Sequence, residues 1–154
     1  MLDKPQILQT TAQLTAIIRL TIPREEIRHV MGPAIQEVTS AAKAQGIGPA
    51  GPVFSHHLKM SPDIFDFEVG VPVTAPVSAI GRVQSGQLPA TTVARTSYYG
   101  PYEGLGDAWS DFVDWIEAQG HKPAADLWEC YLTGPEANPD PAKWCTELTR
   151  PLLP

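Results

Sequence analysis

Three short signatures occur twice in this chain, in the same order. Ala44-Gln45-Gly46 recurs as Ala118-Gln119-Gly120, Pro49-Ala50 as Pro123-Ala124, and Glu68-x-x-x-Pro72 as Glu147-x-x-x-Pro151. Each match is short, but their shared order and similar offsets indicate a duplicated unit. A duplication sets the architecture before any single element does. At 154 residues the chain has the length of one domain, or of two small halves sharing a core, given about 100–200 residues per domain.

Each half reads strand–helix–strand–strand. In the first, the strand segment Gln6–Ile22 alternates from Ala12 on: Ala12, Leu14, Ala16, Ile18, Leu20 and Ile22 fall on one face and Thr11, Gln13, Thr15, Ile17, Arg19 and Thr21 on the other, the period of a strand with one buried face. Pro23 followed by Arg24-Glu25-Glu26 is a helix start, because proline suits the first helical position and acids suit the first turn. Ile27, Val30, Met31, Ile35, Val38 and Ala42 follow at roughly helical spacing, and Gly46 ends the helix. Val53–Lys59 and Phe65–Val71 read as strands, the second with Phe65, Phe67, Val69 and Val71 inward. The second half repeats the order: a strand over Leu88–Tyr99, then a helix opened by Gly100-Pro101-Tyr102-Glu103. That helix carries Leu105, Trp109, Phe112, Val113 and Ile116 and ends at Gly120. Strands over Leu127–Thr133 and Trp144–Pro151 follow, joined by a proline-rich loop over Gly134–Pro141. The expected fold is α+β, one domain over residues 1–154 with repeats over about 6–75 and 82–151. Two such units make an antiparallel sheet with two helices on one face and a groove between pseudo-symmetric halves.

Composition narrows the function. The net charge is −6, which argues against direct contact with nucleic acid or an anionic membrane, since both need a basic patch. No apolar run reaches the roughly 18–20 residues of a membrane span. The opening MLDKPQILQTTAQ has no basic region followed by an apolar stretch, so no signal peptide and a cytoplasmic location are expected. Cys130 and Cys145 form neither a disulfide framework nor a C-x-x-C pair. His56 and His57 are adjacent in a strand and point to opposite faces, so they do not clamp one metal. No G-x-S-x-G and no phosphate-binding loop is present, and no cofactor is expected.

Alternation assigns candidate site residues. With Trp128, Cys130 and Leu132 taken as the side toward the helices, Glu129 and Tyr131 point to the open face. Aligning the halves sets Phe54 against Trp128, Ser55 against Glu129 and His57 against Tyr131. Glu68, Glu147 and Arg19 lie opposite apolar positions. The open face is thus expected to collect Arg19, His57, Glu68, Glu129, Tyr131 and Glu147. A carboxylate beside aromatic rings suits a planar or cationic ligand. A charge on the outer face of a sheet is also commonly just solvated, and at this point both readings of Glu129 stand.

These stretches resemble the GyrI-like (gyrase-inhibitor-like) small-molecule-binding family, related to the effector-binding domains of AraC- and MerR-type multidrug regulators. The matching residues are Phe65-Asp66-Phe67-Glu68-Val69-Gly70-Val71-Pro72, Tyr99-Gly100-Pro101-Tyr102 and Trp115-x4-Gly120. Leu127-Trp128-Glu129-Cys130-Tyr131 and Asp140-Pro141-x2-Trp144-x-Thr146-Glu147-Leu148-x2-Pro151 complete them. The resemblance implies the duplicated fold, and a groove for bulky aromatic or cationic compounds. It also implies that Glu129 of the W-E-x-Y strand is the groove's buried carboxylate, with Tyr131 beside it. His57 stands where many relatives carry an aromatic residue, a departure that bears on ligand preference and pH response.

Three functions follow from the resemblance. The chain is a stand-alone binder that sequesters or senses drug-like compounds. Alternatively it is a hydrolase that opens the cyclopropane ring of DNA-alkylating natural products, with Glu129 and Tyr131 catalytic. Or it is a protein partner that inhibits a DNA enzyme such as gyrase. In regulators the domain follows a helix-turn-helix reader. Here only about twenty residues precede the first helix and they read as a strand, so no such reader is expected. For catalysis, the i, i+2 spacing sets Glu129 and Tyr131 about 7 Å apart at the backbone, with room for a water between them.

Overall fold

The computed structural model describes residues 2–135 and 137–154, with all side chains except those of Arg28 and Met60. In chain order the elements are β1 (Gln6–Gln9), β2 (Gln13–Pro23), α1 (Ile27–Ala44), β3 (Phe54–Met60) and β4 (Ile64–Pro72). There follow β5 (Gln84–Leu88), β6 (Thr92–Tyr99), α2 (Leu105–Ala118), β7 (Leu127–Thr133) and β8 (Cys145–Pro151). Short 3-10 turns at Arg24–Glu26 and Tyr102–Gly104 lead into the helices. The fold is α+β, with antiparallel strand pairing.

The chain divides into two compact units: a first-repeat unit, Thr11–Ala90, and a second-repeat unit made of the remaining described residues. Each is built on strand–helix–strand–strand. Its strands run in the order β3-β4-β2-β5 in the first-repeat unit and β7-β8-β6-β1 in the second. The added edge strand in each case pairs with the repeat's opening strand.

Two expected strands are therefore divided. Gln6–Gln9 does not run on into β2 but belongs to the second-repeat unit, where it pairs with β6. Leu88–Tyr99 breaks at Pro89, which lacks a ladder donor. The breaks meet: Thr10 N–H donates to Thr91 O at 2.9 Å, and Thr91 N–H to Thr10 Oγ1 at 3.0 Å. The strand Gln84–Leu88 was not foreseen. Its sequence QSGQL has no apolar alternation, and it is held by backbone pairing with β2.

Helix packing decides which strand residues face inward. On α2, Ala108, Phe112 and Ile116 are buried, four apart and so on one stripe. They pack with Ala94, Tyr98 and Leu148 of the sheet. Fully burying Phe112 and Ile116 stabilises by about 1.5–3 kcal/mol each. In the first-repeat unit Ala34, Val38, Ala41 and Ala42 of α1 pack with Ala16, Ile18, Phe67, Val69 and Val71.

Register carries these faces across to β3 and β7, and corrects the sequence reading. Glu129 lies opposite Leu148 and Tyr131 opposite Thr146, whose other neighbour is Tyr98. Glu129 and Tyr131 therefore face α2. Likewise Ser55 lies opposite Val69 and His57 opposite Phe67, so both face α1. Trp128, Cys130 and Phe54 are on the other side. The reason is that both faces of β7 are covered: Leu127, Trp128 and Glu129 are all buried in succession. An apolar residue there does not mark the helix side. Leu132, expected inward, is 46% exposed, because a bulge falls between Tyr131 and Thr133. The first repeat has its bulge at the equivalent place, between His57 and Lys59.

Candidate functional site

Glu129 sits in the second-repeat unit with 8% of its surface exposed. Its two oxygens are held separately. Trp109 Nε1 on α2 donates to Oε2 at 2.6 Å, and the Tyr131 hydroxyl donates to Oε1 at 2.9 Å. Both donors are neutral, and no cation pairs with Glu129 among the described residues. Burial pushes its carboxyl above the ordinary carboxylate value, while the indole and the phenol pull the other way by bonding the ionised form. The direct bond closes the gap between Glu129 and Tyr131 that the backbone spacing left for a water.

Aromatic rings extend from this pair. Tyr102, in the turn before α2, meets Tyr131 edge-on with centroids 6.1 Å apart and packs on Trp144 at 5.0 Å. Trp144 is fixed in turn by its indole N–H, which donates to Asn138 O at 2.8 Å. Thr146, across from Tyr131, is fully buried, and its Oγ1 has no hydrogen-bond partner among the described residues. The arrangement sets a desolvated carboxyl next to flat apolar rings, a combination that in its ionised form attracts organic cations.

The other predicted residues do not join it on one face. His57 faces α1 in the first-repeat unit, stacked on Phe67 at 5.0 Å and edge-on to Phe65 at 5.2 Å. Its burial, with His56 and Arg24 nearby, pushes the imidazole down to about 4. Arg19 and Glu68 lie on the side of the strands away from α1. Arg19 pairs with Asp66 at 3.0 Å, and His56 Nδ1 is 3.7 Å from Glu68 Oε1. Glu147 lies on the side away from α2, 3.5 Å from Arg95. Cys130 shares that side, and burial pushes its thiol up to about 12, so it is not a ready nucleophile.

Sequence reasoning missed Trp109 and Thr146 at the site, and did not place Tyr102 and Trp144 there. Trp109 reads as core from its spacing. A signal was available: a buried indole N–H needs an acceptor and a buried carboxylate needs donors.

Comparison with known proteins identifies the fold. The C-terminal domain of EcmrR superposes with a TM-score of 0.83 at 21% identity, covering 97% of both chains. In an EcmrR–DNA complex the match spans only 57% of the EcmrR chain. SAV2435 bound to tetraphenylphosphonium gives a TM-score of 0.69 at 13% identity, covering 98% of this chain and 94% of the other. A hydrolase from Listeria innocua gives 0.65 at 13% identity, covering 97% and 92%. At these identities the likeness is one of fold. No curated protein matches the chain. Residues 3–153 match the GyrI-like small molecule binding domain, and with nearly its whole length so matched the chain belongs to the GyrI-like family.

Proposed function

We propose that the chain binds bulky aromatic cations at Glu129, for sequestration or sensing. The observation that carries this reading is a buried carboxylate whose only described partners are two neutral donors. An ion in that setting is costly unless a proton or a cation joins it. Tyr102, Tyr131 and Trp144 supply flat area for the rest of such a ligand. That a protein of the same fold, SAV2435, holds tetraphenylphosphonium supports the choice of ligand class.

Tetraphenylphosphonium and tetraphenylborate share one shape and carry opposite charge, so they separate charge recognition from area. Titration calorimetry is expected to show binding of the phosphonium and little of the borate. Glu129→Gln should cost the phosphonium about 1–3 kcal/mol, the worth of a charge-assisted contact. Equal affinity for the two ions, unchanged in the variant, would overturn the reading.

A second reading is hydrolytic and rests on the Glu129–Tyr131 hydrogen bond together with the fold shared with a Listeria innocua hydrolase. Ionised Glu129 would serve as base toward a water, and Tyr131 would hydrogen-bond an oxygen gaining charge as a cyclopropane ring opens. Mass spectrometry of a cyclopropanoid alkylator after incubation distinguishes them: added water favours hydrolysis, unchanged bound compound favours binding alone.

A further inference from the structure

The surroundings of Glu129 recur in the first-repeat unit, position for position, with other chemistry. Tyr131 and His57 each stand immediately before the bulge of β7 and β3. Two residues earlier are Glu129 and Ser55, and each pair is hydrogen-bonded within itself. The distances are 2.9 Å for Tyr131 to Glu129 and 3.3 Å between Ser55 Oγ and His57 Nε2. Tyr102 and Arg24 each open a 3-10 turn behind a proline. Trp144 and Phe65 each lie three residues before the repeated glutamate. Where Tyr102 packs on Trp144, the Arg24 guanidinium sits 4.4 Å above the ring of Phe65. The polarity is inverted: a carboxylate among rings in one unit, a guanidinium, an imidazole and a hydroxyl among rings in the other.

We propose that this second constellation, Arg24, Ser55, His57 and Phe65, is a ligand site for aromatic anions, with an aryl carboxylate as its simplest occupant. His57 is 5% exposed, yet its Nδ1 has no hydrogen-bond partner among the described residues. A buried nitrogen left unpaired is unfavourable until something pairs with it. With the Ser55 hydroxyl donating to Nε2, the ring proton sits on Nδ1, which becomes a donor for a carboxylate. Arg24 supplies the countercharge. It is an exposed residue that donates to Ser61 O at 3.3 Å, and a guanidinium has five N–H donors in a fork matched to carboxylates. Phe65 is partly exposed and offers a face for the ligand's ring. The strand neighbours on this side, Leu20 and Ile22, and Ile27 and Met31 of α1 are apolar. The acids of β4, Asp66 and Glu68, lie on the other side. Glu25 and Glu26 share the turn with Arg24 and are exposed. The site stands on a different unit from Glu129 and does not depend on the cation-binding reading.

The test uses the full chain with 2-naphthoate and its uncharged near-isostere 2-naphthamide, followed by calorimetry and by ¹⁵N NMR of the histidine rings. The naphthoate is expected to bind, to move the His57 ring nitrogens toward the Nδ1–H form, and to shift Arg24 and Phe65. Arg24→Gln and His57→Phe should each weaken it about ten-fold, in line with loss of a charge-assisted or buried hydrogen bond. Arg24→Gln should leave naphthamide and tetraphenylphosphonium within two-fold of wild type. Arg24 is exposed, so its variant folds and keeps the test decisive even if His57→Phe does not. No binding of naphthoate, equal affinity in wild type and Arg24→Gln, or shifts confined to residues around Glu129 would each overturn the proposal.

Discussion

Trp109 on α2 and Glu129 on β7 are 20 positions apart in sequence and joined by an indole N–H that donates to the carboxylate at 2.6 Å. The bond ties the helix to a strand residue whose carboxylate faces it. It also makes an apparently structural tryptophan a determinant of the charge state of the site.

Trp109→Phe keeps a ring against Phe112 and removes that donor. Ionised Glu129 then loses one of its two hydrogen bonds, worth about 1.5–3 kcal/mol for a charged acceptor. The affinity for tetraphenylphosphonium near neutral pH should fall roughly ten-fold. The carboxyl should titrate higher than in wild type by ¹³C NMR. Tyr131→Phe removes a longer bond, 2.9 Å, and should cost less. A Trp109→Phe protein that binds and titrates like wild type would show the contact to be packing only.

Cation binding should strengthen as pH rises through the raised value of Glu129 and weaken as pH falls through it, since the cation requires the ionised form. The folded protein behaves in the opposite sense. A carboxyl raised on folding contributes stability that is present below its ordinary value and lost as pH rises through the folded value. Glu129→Gln should flatten both profiles, measured by calorimetry and by urea unfolding across the same pH series.

His57 has the reverse linkage. Its imidazole falls from the ordinary 6.5 to about 4 on folding, so the stability it contributes is present above 6.5 and lost as pH falls toward 4. The full effect is about 3 kcal/mol by the usual conversion of a fall from 6.5 to about 4. Urea unfolding at pH 7 and pH 4.5 should show a smaller difference for His57→Phe than for wild type. Equal differences would mean that another group controls the acid limb.

Gly70→Ala should destabilise the first-repeat unit by about 1–3 kcal/mol, the cost of overpacking. A Cβ there would lie 2.7 Å from Ala16 O and 2.8 Å from both Ile17 Cγ2 and Phe54 Cζ, and a paired backbone oxygen cannot give way. Gly106, in the first turn of α2, is the control: a Cβ there meets nothing within 4 Å. Gly106→Ala should be neutral or stabilise by up to about 1 kcal/mol. Thermal melts of the two variants check both signs.

The duplication, the α+β class and the strand–helix–strand–strand order were legible in the sequence, because period two, period 3.6 and the proline and glycine punctuation are local properties. So was the common face of Glu129 and Tyr131, since residues two apart in a strand share a face whatever packs on it; the direct hydrogen bond that replaces the expected water between them was not. Tertiary structure decided which face that was. Leu127, Trp128 and Glu129 are all buried, so hydrophobicity did not distinguish the helix side from the other, and aligning Phe54 with Trp128 carried the same inversion to Ser55 and His57. Tertiary structure also chose the partners of β1 and β5, because an edge strand is held by backbone groups left open elsewhere in the fold. And it brought Trp109 to Glu129: the indole N–H and the carboxylate each needed a partner in the dry interior, and the packing of α2 against Ala94, Tyr98 and Leu148 placed each within reach of the other.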